Sequence, residues 1–206
     1  MKKLLVCALS LGCLFAMPAE TFACACCVDS GYYSISTQRP DGYMLSILDE
    51  IRFDAPTDLY MTDAGWDGIK GLSDLDKDEN DGKSIDLSIA EAFANKRWTF
   101  TIKSASGREG KLTLPMPRTL VKYAVDLREE RGEGTMVSLY KELRFKGSVG
   151  TATGFLKRGI AVGTSYFLVF QGRGNGCDDA SNFTHWRLEL TGPRADYAFF
   201  GDLVTE

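Results

Sequence analysis

Residues 97–116 read RWTFTIKSASGREGKLTLPM. Trp98, Phe100 and Ile102 alternate with Arg97, Thr99, Thr101 and Lys103, the period of a strand with one face turned to a core. The stretch SASGREG then reads as a turn. Beyond it Leu112, Leu114 and Met116 resume the alternation, so the segment predicts an antiparallel hairpin with a loop longer than the shortest types.

The same period extends outward from this hairpin. Val121, Tyr123, Val125 and Leu127 alternate with Lys122 and Asp126. Val137, Leu139, Leu143 and Phe145 repeat it, with Lys141 as the exception. The run SYFLVFQ, 165–171, is apolar on both faces, which suits a strand covered on both sides or central in its sheet. The pair THWRLELT and DYAFFGDL, joined by Gly192-Pro193-Arg194, predicts a last hairpin. Its inward face is Trp186, Leu188 and Leu190, and its polar face is His185, Arg187 and Glu189.

Toward the amino terminus, Met44, Ile47, Leu48 and Ile51 fall at helical spacing behind Asp41, a suitable N-cap. A short helix over 42–51 is expected. TDLYMT and SIDLSI add two further strands. The pattern totals about eight strands with no alternation of strand and helix, which predicts a mainly β, antiparallel sandwich or barrel.

The first residues predict a secretory signal peptide. Lys2 and Lys3 precede an uncharged apolar run from Leu4 to Met17, and Thr21 and Ala23 are small residues suited to cleavage after Ala23. Cleavage after Ala25 is the rival. The expected organisation is a signal over 1–23, a Cys-rich segment over 24–40 and one β-rich domain over 41–206. Export to the periplasm or the exterior follows, and no transmembrane segment is expected. A lipid anchor on Cys24 is the lesser alternative, because Thr21-Phe22-Ala23 makes a poor lipobox.

Removing residues 1–23 takes away Lys2, Lys3 and Glu20, so a formal charge of −4 becomes −5. A mildly acidic chain argues against nucleic acid as a partner, since phosphate binding needs concentrated Lys and Arg. The mature chain of roughly 180 residues suits a single core.

Four cysteines then remain: Cys24, Cys26, Cys27 and Cys177. An oxidising compartment turns such a set toward disulfides. Adjacent half-cystines are strained, so the favoured pairing is Cys24–Cys27 with Cys26–Cys177. The second bridge would close a loop of about 150 residues, a constraint on the order of 4–5 kcal/mol in the chain-entropy model. The alternative is a thiolate site for copper or zinc, built from the same four cysteines with His185 as a further ligand.

Other stretches offer oxygen or aromatic chemistry. Asp74, Asp76, Asp78, Asn80 and Asp86 form an oxygen-rich run that suits calcium. The EF-hand pattern fails on it, and a solvated acidic turn is the favoured reading. Trp66, between Asp63 and Asp67, is a candidate for stacking on a ligand or covering the core edge. The sole histidine, His185, has no nucleophile motif beside it, and phosphate loops and metalloprotease motifs are absent. Paired carboxylates of a hydrolase would be found among residues such as Asp178, Asp179 and Glu189. The favoured function is an exported, non-enzymatic β-domain with a binding or structural role.

Overall fold

The computed structural model describes residues 28–61, 84–104, 107–127 and 137–205. The strands are β1 (Tyr33–Gln38), β2 (Ile51–Met61), β3 (Ser84–Phe93), β4 (Arg97–Ser104), β5 (Glu109–Pro115), β6 (Leu120–Val125), β7 (Leu139–Ser148), β8 (Thr151–Gly154), β9 (Ser165–Gly174), β10 (Phe183–Gly192) and β11 (Ala195–Thr205). One helix, α1 (Gly42–Glu50), lies between β1 and β2. Short 3₁₀ turns occupy Phe155–Arg158 and Ala180–Asn182.

All eleven strands belong to one antiparallel sheet in the order β1-β6-β7-β9-β10-β11-β2-β3-β4-β5-β8. This corrects the expected count of about eight. The pattern omitted β1, whose strand YSISTQ carries few large apolar residues, and β8, which is only four residues long. It also placed β2 and β3 too short, because Pro56 and the small residues of SIAEAF interrupt the apolar alternation.

The sheet curls into a half-barrel around an aromatic core. Trp98 on β4 meets Phe145 on β7 at 4.9 Å between ring centroids, although these strands are ninth and third in the order. Phe53 on β2 meets Trp186 on β10 at 4.8 Å and Phe100 on β4 at 5.2 Å. Two residues, Val149 and Gly150, carry the chain from β7 to β8 at the far end of the strand order. There Gly150 donates its N–H to Thr113 O of β5 at 2.9 Å, and the Tyr166 hydroxyl donates to Pro115 O at 2.5 Å. Side chains, not only ladders, thus tie the two limbs of the sheet together.

The opening hairpin forms as its pattern demands. Trp98, Phe100, Ile102, Leu112 and Leu114 are all buried, and Trp98 stands opposite Leu114 in register. Helix α1 also matches its signal: Asp41 Oδ1 accepts from Met44 N at 2.8 Å, and Met44, Ile47 and Leu48 are buried. The two-faced apolar run becomes β9, flanked by β7 and β10. Its outward Val169 is fully buried and stands in register with Arg144 and Arg187, whose aliphatic stems suit such a cover.

Candidate functional site

A cleft of about 410 Å³ opens where β2 departs from β11. The register runs Gly201↔Thr57 and then Leu203↔Phe53, so three residues of β2 stand against the single Asp202 of β11. Pro56 lies in the extra stretch. It has no N–H to give the ladder, which accounts for the break at that point. On the other side β10 carries its own irregularity between Phe183 and His185. Bulges re-aim side chains beside binding sites, and between these two irregularities His185 and Asp202 stand directly opposite each other in the β10–β11 ladder.

His185 Nε2 lies 3.4 Å from Asp202 Oδ1, and Nδ1 lies 2.8 Å from Thr184 Oγ1. Both side chains are more than half exposed, so their contact contributes little to stability. Asp58 and Gln171 add polar groups to the cleft wall, while Phe200 and Pro56 add apolar surface. Among the described residues no Lys or Arg lines the cleft. Thr57, itself buried, donates its hydroxyl to Phe200 O at 2.6 Å and so holds this wall in place.

The floor carries Trp186, which is 1% exposed, and its indole Nε1 has no hydrogen-bond partner among the described residues. A Cβ on Gly201 would stand 2.7 Å from Nε1 and 3.2 Å from Cε2. The indole therefore fills the space that a side chain at position 201 would need. A buried donor without a partner costs free energy on the order of 1–3 kcal/mol and marks a place where an acceptor is wanted.

A second polar centre lies by the loop before β10. The Lys141 ammonium donates to Cys177 O, to Asn182 Oδ1 at 3.1 Å and to Asp178 Oδ1 at 3.1 Å. Lys122 donates to the other oxygen of Asp178, and the Tyr43 hydroxyl donates to Asp178 O at 2.5 Å. Lys141 is the exception in the apolar row of β7. Burial lowers its pKa, while the Asp178 carboxylate opposes that shift. The adjoining cavity, about 90 Å³, is lined by Tyr32 and Ser34 from the amino-terminal side and by Gly176 and Asp178 from the loop.

A third group is Glu91 on β3, opposite inward Phe100. Burial pushes its carboxyl up to about 7, with Arg52 opposing the shift and Asp49 adding to it. Its Oε1 has no hydrogen-bond partner among the described residues.

The residues nominated by the sequence fall in different places. Cys177 sits in the loop held by Lys141, while Cys24, Cys26 and Cys27 lie outside the described residues. Among the described residues no three His, Cys, Asp or Glu gather as a metal site. Trp66, Asp74, Asp76, Asp78 and Asn80 also lie outside the described residues. Asp86 falls on β3 in register with Asp58 of β2. Asp178 is paired with two lysines, and Asp179 caps the turn Ala180–Asn182 by accepting from Ser181 N at 2.9 Å. Glu189 pairs with Arg187 at 2.9 Å. These three carboxylates are engaged separately. The cleft instead uses Asp58, Asp202, Gln171 and Thr57, which no motif had singled out. Pro56 inside an alternating strand was the one signal of that break.

No family model matches the chain, and neither a curated protein nor a solved structure does. Among the described residues no helix is long and apolar enough to cross a membrane.

Proposed function

We propose that this chain is an exported, non-enzymatic β-domain that binds a small polar ligand in the cleft between β2, β10 and β11. The observation that carries this reading is the cleft itself. A break in the β2–β11 ladder opens it, and carboxylate, amide and imidazole groups converge on its walls above the Trp186 indole. Cavities of several hundred Å³ with a few convergent polar groups are the usual form of a small-molecule site. The leader-like residues 1–23 support export.

The amino-terminal cysteines serve this domain as a staple. Tyr32 and Gly176 line one cavity, so the chain leading back toward Cys27 enters beside the Cys177 loop. That neighbourhood supports a bridge from the 24–27 segment to Cys177, with Cys26–Cys177 as the favoured pair. A copper or zinc thiolate centre on these cysteines is the competing reading. Stoichiometric metal together with free thiols in protein from its native compartment would establish it.

The binding reading is tested on the ¹⁵N-labelled secreted protein with a library of small polar fragments. The expected result is a set of amide shifts confined to Thr57, Gln171, His185 and Gly201. Shifts scattered over the surface, or turnover of ester, glycan or peptide substrates, would overturn it.

A further inference from the structure

The sheet has two ends, and they differ in how they are guarded. Edge strands are commonly kept from pairing with other chains by shortness, by a charged residue or by proline. At one end β8 is four residues long and turns away at Gly154, where φ is +61°. At the other end lies β1, and among the described residues no strand pairs with its outer side. Its six residues, YSISTQ, include no charge, proline or glycine.

The phase of the β1 backbone follows from one bond. Asp126 N donates to Tyr32 O at 2.9 Å, and the β1–β6 register sets these two residues opposite each other. Bonded and non-bonded pairs alternate along an antiparallel ladder. Ser34, Ser36 and Gln38 therefore exchange their bonds with β6, while the N–H and C=O groups of Tyr33, Ile35 and Thr37 point to the open edge. Gly31, the preceding residue in that phase, already donates its N–H to Asp126 Oδ2 at 3.0 Å. The side chains of the same three residues face away from the core, since neighbouring Gln38 stands opposite buried Leu120. Tyr33 is 62% exposed and Ile35 54%.

This edge is complementary to itself. When Ile35 stands opposite Ile35 of a second copy in an antiparallel pairing, Tyr33 stands opposite Thr37 and Thr37 opposite Tyr33. Every open backbone group of the row is then matched, and the side chains meet as cross-strand pairs of β-branched and aromatic residues. The same register sets Arg39 opposite Gly31, beside the Asp126 carboxylate, at both ends of the pairing. Arg39 precedes Pro40, which favours the extended backbone that this requires. A strand of another protein would have to supply these matches one by one, whereas a second copy brings them all.

We propose that the chain forms a two-fold dimer through antiparallel pairing of β1 with β1 of a second copy, Ile35 lying on the axis. The pairing joins the two sheets edge to edge and uses no residue that lines the cleft, so it stands apart from the binding reading. A two-fold contact of this kind closes on itself and stops at two chains.

Sedimentation of the secreted protein from micromolar to millimolar concentration tests it. Monomer and dimer are expected, with the dimer rising as the protein is concentrated. In the dimer, amide exchange should slow at Tyr33, Ile35 and Thr37, while Ser34 and Ser36, already bonded to β6, change little. Ile35→Lys sets two like charges on the axis at an exposed position. It should weaken association at least about tenfold and leave thermal stability nearly unchanged, and Ile35→Glu should do the same. Mixed in equal amounts, the two variants should associate again, because opposite charges then face each other. A monomer throughout that range, assembly beyond two chains, or a dimer indifferent to both substitutions would overturn the proposal. So would a mixture that stays monomeric, since the restored charge match is what the pairing on the axis demands.

Discussion

Lys141 Nζ lies 3.1 Å from Asp178 Oδ1, and the two side chains are 4% and 7% exposed. A buried ammonium is tolerated only where its protons are all accepted, and this one finds a carbonyl, an amide oxygen and a carboxylate. Breaking such a buried pair typically costs about 3–5 kcal/mol, and the Asp178 variant should lose more, because Lys122 still faces Asp178 when Lys141 is replaced. Lys141→Met and Asp178→Ala should therefore each destabilise strongly in urea unfolding. The double variant should be less destabilised than the two losses combined, with a coupling above about 1 kcal/mol. Strictly additive losses would show that the pair does not act as a unit.

Glu91 makes stability depend on pH in the opposite sense to an ordinary carboxylate. Its folded-state pKa is raised from 4.5 to about 7, chiefly by burial. Between those values the folded chain holds a proton that the unfolded chain has released. Stability must therefore fall as pH rises through that window and level off above it. The full span is on the order of 2 kcal/mol, given about 1.4 kcal/mol per pKa unit and partial solvent access. Glu91→Gln should flatten this segment of the stability profile, measured as urea midpoint against pH. An unchanged slope in the variant would remove Glu91 as its source.

Much of the fold was legible because burial on one face writes itself as alternation. Trp98, Phe100 and Ile102 gave their hairpin, and Asp41 gave its helix. The curl was not legible, because it depends on side chains such as Phe53 meeting strands distant in the order. The edge strand β1 was missed for a related reason: at the end of the sheet Tyr33 and Ile35 are more than half exposed, so no inward apolar row marks it. The site was less legible still. His185 was visible as a lone histidine, but its partner Asp202 is set by the register of the β10–β11 ladder. Lys141 looked like a fault in an apolar row until the loop bearing Asp178 folded over it.

Tyr166 tests the closure of the half-barrel. Its hydroxyl reaches from β9 to Pro115 O on β5, strands separated in the order by five others. Burial pushes its pKa well above the ordinary tyrosine range, in keeping with a phenol that stays neutral and donates. Tyr166→Phe keeps the ring and removes the bond. The expected loss is about 1 kcal/mol, with faster amide exchange concentrated in β5 and β8. Exchange raised equally throughout the sheet would mean that this bond does not fasten that edge.

Gly172 governs how closely the Cys177 loop can approach the sheet. A Cβ there would stand 1.8 Å from Asn182 O, backbone that cannot swing aside as a side chain can. Asn182 also supplies one acceptor to Lys141, so a displaced loop would loosen the ammonium as well. Gly172→Ala should therefore destabilise by several times the ordinary helix or strand cost of such a change, on the order of 3 kcal/mol or more. In the Lys141→Met background the added loss should shrink, because one of the contacts it disturbs is already gone. Gly147 provides the contrast: its Cβ would meet the ring of Tyr166 at 2.8 Å, a side chain rather than backbone and a less severe overlap. Gly147→Ala should be milder than Gly172→Ala in the same urea assay. The reverse ranking would show that the loop is held less rigidly than its contacts with Lys141 and Tyr43 require.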